Sequence, residues 1–462
     1  MEYSFDDHDD DLPLTKFESM LKTNHVLFFD SEEFENIIHH YLNLGKIALA
    51  KKAIKLGLEQ HPASVNLKLF KVEVFVFEDR LTEADALLSE LYSIDPTNEE
   101  IFIQKANVFS KRDQHEQAID VLKKAIALTD DTADLHSLIG MEYLFLDNFE
   151  EAKTAFIKCL EEDQEDYSAL YNIIYCFEFL EQTQEAITYL TAFLDKNPYS
   201  EIAWHQLGKQ YYTQKNYKKA LAAFDFAIIS DDTFVGAYIE RGKVLEKLKR
   251  FEEAIENYTL TLELEDPTSF ALLRIGHCYE KLKIDELAVQ YYYKTVHEDP
   301  LLDKGWIAIT RFYNKKRNYP KALYYIKKAL NIEADNVNYW KLYAQINQRL
   351  NLYEEAERGF KKTLELGNYE LNTWLSRGDL LLKLGEPEAA IFNFQQALDF
   401  YPDNAEIEYR LAGLHFTLNQ NDEGFFHLKN GIKLNESFSF IMDELFPEVS
   451  KKPLVSSILK QH

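Results

Sequence analysis

The chain has 462 residues, 46% hydrophobic and 28% charged, proportions ordinary for a protein that folds in water. Its 78 acidic residues outnumber 51 basic ones for a formal charge of −27, which repels phosphate backbones and anionic lipid and argues against nucleic-acid or membrane binding. No stretch approaches the roughly 20 apolar residues of a membrane span. Three cysteines make no disulfide framework, so a reducing, cytoplasmic setting is expected.

Residues 1–30 open with a run of acids, Asp6, Asp7, Asp9, Asp10 and Asp11. That run reads as a solvated, disordered tail. It has no glycine to turn a calcium-binding loop, and acids stand where a signal peptide needs a basic region. Residues 14–29, with Leu14, Phe17, Met20, Leu21 and then Val26 to Phe29, read as a short apolar-faced capping helix.

Residues 31–436 are periodic. Ala50, Ala84, Ala118, Ala152, Ala186, Ala220, Ala254, Ala288, Ala322, Ala356 and Ala390 stand 34 residues apart without a slip, and Gly424 keeps the phase. Such regularity denotes one supersecondary unit copied about twelve times. Sixteen residues before the small column stand all four tryptophans, Trp204, Trp306, Trp340 and Trp374. Four after the tryptophan column comes a second small one (Gly140, Gly208, Gly242, Gly276, Gly378, with Ala106, Ala344 and Ala412). Four after the alanines runs a bulky column that includes Phe156, Phe224, Tyr258, Tyr292 and Phe394.

Within Trp204, Leu207, Gly208 and Tyr211 the offsets mark one face of an α-helix, and Ala220, Phe224 and Ala227 mark a second. Lys215 and Asn216 turn the chain between them. Gly208 and Ala220 are small where two helix axes come close. One such pair cannot bury both its faces, so the units must stack. Pro62, Pro96, Pro198, Pro267, Pro300 and Pro402 fall between units, while Pro320 and Pro387 open second helices, where a missing N–H costs little.

Residues 437–462 carry Phe438, Phe440, Ile441, Leu445 and Phe446 before Pro447, and Leu454, Val455, Ile458 and Leu459 after it. They read as capping helices over the array's end. A membrane-surface or dimerising helix is the alternative.

No catalytic constellation is present. His39 and His40 are adjacent and diverge on a helix, and there is no zinc-protease pair, phosphate-cradling loop or serine elbow. Cys159, Cys176 and Cys278 follow the repeat frame, as core residues do. No metal or other cofactor is expected.

The stretch Trp204, Leu207, Gly208, Tyr211, Ala220, Phe224 and Ala227 resembles the tetratricopeptide repeat family, over about residues 31–436. The resemblance implies an all-α, right-handed helix-turn-helix solenoid of about twelve repeats with end caps. It also implies that first helices line an inner groove. The groove columns of the first five units carry Leu42, Leu69, Val76, Phe77, Ile103, Met141, Leu144, Phe145, Tyr171, Tyr175 and Phe179. In later units they carry Lys209, Lys243, Lys247, Lys281, Lys304, Arg311, Lys315, Lys341, Arg349 and Lys383. A non-catalytic scaffold is expected, holding an extended peptide or a partner helix, with an acidic segment of the partner on the cations. A self-assembling homo-oligomer and a co-chaperone-like module are the alternatives. The carboxylate clamp of chaperone-binding relatives needs a Lys–Asn pair, and His205 with Lys209, Ile307 with Arg311 and Lys341 with Gln345 do not supply one.

The small column carries a direct test. Ala220→Leu should overpack a helix crossing and cost about 1–3 kcal/mol. Thermal melting unchanged from wild type would remove Ala220 from a close contact.

Overall fold

The computed structural model describes residues 11–23, 27–264 and 268–460. The acidic run up to Asp10, together with Val26 and Pro267, lies outside them. The described residues form helices and no strand. Two compact units divide the chain, 1–230 and 231–462.

The first unit opens with helix Asp11–Thr23 and continues with six helix pairs. Repeat 1 is Ser31–Asn43 with Ile47–Gln60, repeat 2 Val65–Phe77 with Leu81–Ile94, and repeat 3 Glu99–Lys111 with His115–Ile126. Repeat 4 is Ala133–Phe145 with Phe149–Glu162, repeat 5 Tyr167–Phe179 with Thr183–Lys196, and repeat 6 Glu201–Thr213 with Tyr217–Ser230. In the second unit, repeat 7 is Val235–Lys247 with Phe251–Leu264, repeat 8 Ser269–Lys281 with Asp285–Glu298, and repeat 9 Asp303–Lys315 with Tyr319–Ile332. Repeat 10 is Val337–Arg349 with Tyr353–Glu365, repeat 11 Leu371–Lys383 with Pro387–Phe400, and repeat 12 Ala405–Thr417 with Asn421–Leu434. Helices Phe440–Leu445, Pro447–Ser450 and Pro453–Lys460 follow.

Local chemistry sets both ends of the first helices. Asp30 caps repeat 1 in a capping box with Glu33, and Ser64, Asn98, Asp166, Ser200, Thr268, Asn336 and Asn404 accept backbone N–H bonds at the same place in later repeats. Each first helix ends on a residue with left-handed φ, from Gly45 and Asp79 through Lys215 to Asn419, again 34 residues apart. The next N–H folds back onto the helix, as Asn216 does to the Tyr211 carbonyl at 2.8 Å. Only Gly45 and Gly385 of these are glycine, so that bond offsets roughly 1–2 kcal/mol of backbone strain in the other ten repeats.

Packing between the two helices of a repeat follows a volume rule. All eleven column alanines are 0% exposed. Across from them, an ideal Cβ on Gly140, Gly208, Gly242, Gly276 or Gly378 would stand 2.1–2.7 Å from the ring of Phe156, Phe224, Tyr258, Tyr292 or Phe394. These glycines exist to admit rings. Where the first-helix position is larger, the second helix carries an aliphatic residue instead: Val72 with Leu88, Ile174 with Leu190, Thr310 with Ile326. Repeat 10 keeps Phe360 beside Ala344 and moves the relief to Gly359, whose Cβ would fall 2.9 Å from that of Ala344.

Both flanks join the core. Phe17 lies edge-on to Phe29 and Phe34 at 6.0 and 6.3 Å, closing repeat 1. At the other end the chain does more than cover the last second helix. Phe446 packs on Gly413 of the first helix of repeat 12, where a Cβ would meet its ring at 2.2 Å. Ile441, Met442, Val449 and Val455 are buried with it, and Lys452 donates to the Phe416 carbonyl at 3.2 Å. Gly413 stands in the column of Lys209 and Arg311, so in repeat 12 the chain's own segment occupies a position expected to face the groove.

Gly208→Ala would gain about 1 kcal/mol of helix propensity but lose about 1–3 kcal/mol by driving a methyl into Phe224. Phe224→Leu should restore the space, so a double-variant cycle should show a coupling above about 0.5 kcal/mol. Additive losses would show that the ring moves aside without strain.

Candidate interaction surfaces

The apolar positions expected to face the groove fall into two classes. Leu69 and Val76, at 6% and 7% exposure, belong to a core with Leu88, Leu91 and Ile101. They join repeat 2 to repeat 3, whose Ile101 and Val108 lie in the same core, and Leu69 also lines a cleft beside Glu73 and Glu100. Leu42, Ile103 and Leu144 are half-buried, whereas Phe77 is exposed.

Repeats 4 and 5 differ. Met141, Phe145, Tyr171, Tyr175 and Phe179 are each 38% to 59% exposed. Met141 and Tyr175 share one column and Phe145 and Phe179 another, so two neighbouring first helices present one apolar row. The rings are held in place. Phe179 stacks on Phe149 at 3.9 Å and Tyr175 leans on both. Phe145 stacks on His115 at 5.0 Å, and His115 Nδ1 is fixed by Glu142 at 2.7 Å. Ordering such side chains before a partner arrives lowers the entropic cost of binding.

The basic set is less open than its sequence pattern suggests. Lys209 is half-buried in the first unit; the other nine lie in the second. Lys243 pairs with Glu240 at 2.6 Å, Lys315 with Glu280 at 3.0 Å and Lys341 with Glu370 at 2.5 Å. Lys383 lies over the Tyr353 ring. Lys247, Lys281, Lys304, Arg311 and Arg349 are exposed and form no ion pair among the described residues. These five carry the open positive charge.

Two carboxylates that sequence reasoning missed explain the difference. Glu246 accepts from Arg274 at 2.7 Å and from the Tyr258 hydroxyl at 2.8 Å, and Glu280 accepts from Lys315 and the Tyr292 hydroxyl. The signal was in the bulky column, where repeats 7 and 8 carry tyrosine and the residue twelve earlier is glutamate in both. His277 sits in this network, with Nδ1 3.0 Å from the Tyr292 hydroxyl. Burial and then the Arg274 charge hold its pKa down at about 4.

A second group crosses columns and escaped the periodic reading. Glu35, Glu73 and Glu100 line a cleft of about 250 Å³ on the first helices of repeats 1 to 3, with His39, Phe70 and Gln104. Burial raises the pKa of both Glu73 and Glu100. Cys159, Cys176 and Cys278 are buried free thiols, pushed up to about 12, 11 and 12 by burial. Among the described residues no three His, Cys, Asp or Glu side chains converge as metal ligands, and no helix is long and apolar enough to cross a membrane.

Family models for the tetratricopeptide repeat match residues 78–141, 133–166, 168–200, 205–270 and 381–424. The chain belongs to the tetratricopeptide repeat family. It is 27% identical over 159 residues to anaphase-promoting complex subunit 3 of Schizosaccharomyces pombe, covering 34% of this chain and 24% of that protein. It is 38% identical over 58 residues to the CTR9 homolog of Arabidopsis thaliana, 13% of this chain and 5% of that one. The tetratricopeptide chain thus spans a quarter or less of the curated relatives it matches. Similar solved structures include the APC/C hetero-tetramer Cut9–Hcn1 (14% identity, TM-score 0.38, 87% of this chain and 94% of that one). Another is YrrB, described as a TPR protein with an unusual peptide-binding site (15%, TM-score 0.33, 41% and 97%).

The depressed pKa of His277 has a sign that can be checked. Below about 6.5 the unfolded chain takes up a proton at this site that the folded chain refuses until about pH 4. His277 therefore removes stability as pH falls through that window, by up to about 3 kcal/mol. His277→Gln should flatten the pH dependence of denaturant unfolding between pH 4.5 and 6.5. An unchanged slope would show that the site opens or that His277 is charged when folded.

Proposed function

We propose that this protein is a non-catalytic interaction scaffold that holds an extended peptide or partner helix on the first-helix faces of its repeats. Residues 1–30 and 437–462 flank the array of 31–436, and their described helices, Asp11–Thr23 at one end and Phe440–Leu445 to Pro453–Lys460 at the other, close its ends. The observation that carries this reading is the row Met141, Phe145, Tyr171, Tyr175 and Phe179. Five large apolar side chains at helical spacing are costly to leave in water, at about 25 cal/mol per Å². Elsewhere the same columns hold one other exposed large apolar residue, Phe77, and are otherwise polar, charged, half-buried or buried. A contiguous patch of that kind marks a binding surface, and rigid aromatics are the side chains that dominate interface energies. The exposed cations of the second unit would receive an acidic segment of a partner, Arg311 and Arg349 by forking onto carboxylates.

Affinity purification from the native cell tests both surfaces. Met141→Ser/Phe145→Ser/Tyr175→Ser should lose partners by at least about tenfold, some 1.4 kcal/mol. Lys281→Glu/Arg311→Glu/Arg349→Glu should slow association and reduce its salt dependence. Lys243 and Lys315 are unsuitable for reversal, since each new glutamate would face the carboxylate already paired there. Retention of the same partners in the same amounts by both variants would overturn the scaffold reading.

A further inference from the structure

The aromatic row lies in the strongly acidic half of the chain. Residues 1–230 carry 42 acidic against 21 basic residues, whereas residues 231–462 carry 36 against 30. The contrast extends to individual carboxylates. Glu246 and Glu280 in the second unit are each neutralised by a cation, Arg274 or Lys315. Glu35, Glu73 and Glu100 form no ion pair among the described residues. Glu35 accepts only from neutral donors, Asn66 and Ser31 at 3.1 Å each, and Glu100 accepts from Gln104 at 2.8 Å. Burial opposes the ionisation of both Glu73 and Glu100, with the Glu100 charge adding to it at Glu73 and the Glu99 charge at Glu100, while His39 in the same cleft favours it at both. Negative charge is thus concentrated, with His39 beside it but no lysine or arginine paired to it among the described residues, on the same first-helix face that carries the aromatic row two repeats further on.

We infer that the first-helix face of repeats 1 to 5 takes a basic amphipathic segment of a partner protein. Its apolar side chains lie on Met141, Phe145 and Tyr175, and a lysine or arginine enters the cleft at Glu73 and Glu100. This rests on the row being an interaction surface, and adds the partner's chemistry. Charge selects the occupant: an acidic segment, or a second copy of this half, would bring like charge to a face that is already repulsive. A cation in the cleft forms charge-assisted hydrogen bonds and offsets the repulsion between two half-buried carboxylates, and further cations can lie over the tyrosine faces.

The probes are two synthetic amphipathic peptides of about 20 residues with the same leucine positions, one bearing lysines and the other glutamates. Calorimetric titration of the full chain should show the lysine peptide binding at least about tenfold more tightly than the glutamate peptide. Glu73→Gln/Glu100→Gln should weaken it by about tenfold and flatten its salt dependence, without lowering the melting temperature. Glu151→Gln/Glu185→Gln, an equal change of charge on exposed second-helix positions, should leave the affinity unchanged. If that outer pair weakens binding as much as the cleft pair, the attraction is non-specific and the inference falls. If Met141→Ser/Phe145→Ser/Tyr175→Ser abolishes binding and the cleft pair does not, the apolar surface stands and the basic partner falls. If the aromatic variant binds as well as wild type, the surface itself falls. Light scattering that shows a stable dimer, broken by the aromatic variant, would assign the face to a second copy instead.

Discussion

Where the two helices of a repeat cross, one of them gives up its side chain. Gly208 is bare so that Phe224 can lie against the first helix, and the same exchange recurs at Gly140, Gly242, Gly276 and Gly378. Interior packing tolerates neither a void nor an overlap of one methyl without cost. Each repeat therefore holds its total volume while trading it between helices, as Val72 with Leu88 or Ala344 with Gly359 and Phe360 shows. The close crossing also fixes which residues point away from the partner helix. The row on repeats 4 and 5 is braced from the preceding repeat in each case, Phe145 on His115 of repeat 3 and Phe179 on Phe149 of repeat 4.

Electrostatics then divides the first-helix faces. In repeats 7 and 8 the ring in the bulky column is tyrosine, and its hydroxyl reaches a glutamate that also takes an arginine or lysine. Such partly buried pairs repay their desolvation only when the remaining lone pairs are satisfied, and here tyrosine satisfies them. The cations so used are withdrawn from any ligand. In repeats 1 to 3 the carboxylates have no such partners, and burial holds Glu73 and Glu100 above their usual pKa. A protein that keeps this arrangement forgoes stability near neutral pH, a cost typical of binding surfaces.

Most of the fold was legible because a repeat averages over its own noise. The alanine column, the turn at Lys215 and Asn216, and the prolines that open second helices at Pro320 and Pro387 all stand where periodicity places them. Periodicity was a poorer guide to exposure. Leu69 shares a column with Tyr171, yet one is buried and the other open, since exposure depends on the neighbouring helix and not on the repeat itself. Pairings across repeats, such as Lys315 with Glu280, and a cleft drawn from three columns, such as Glu35, Glu73 and Glu100, follow no single period. The C-terminal segment could be read as a cap from its apolar residues, but nothing in its pattern announced that Phe446 would lie on Gly413.

The central claim is that the first helices of repeats 4 and 5 present the surface a partner protein meets. A photo-crosslinking amino acid placed at Tyr175, and separately at the exposed Tyr199 between repeats 5 and 6, tests it in the native cell. The account predicts a discrete crosslinked partner from position 175 and none from 199. Crosslinks from 199 alone, or equal yields from both, would contradict it.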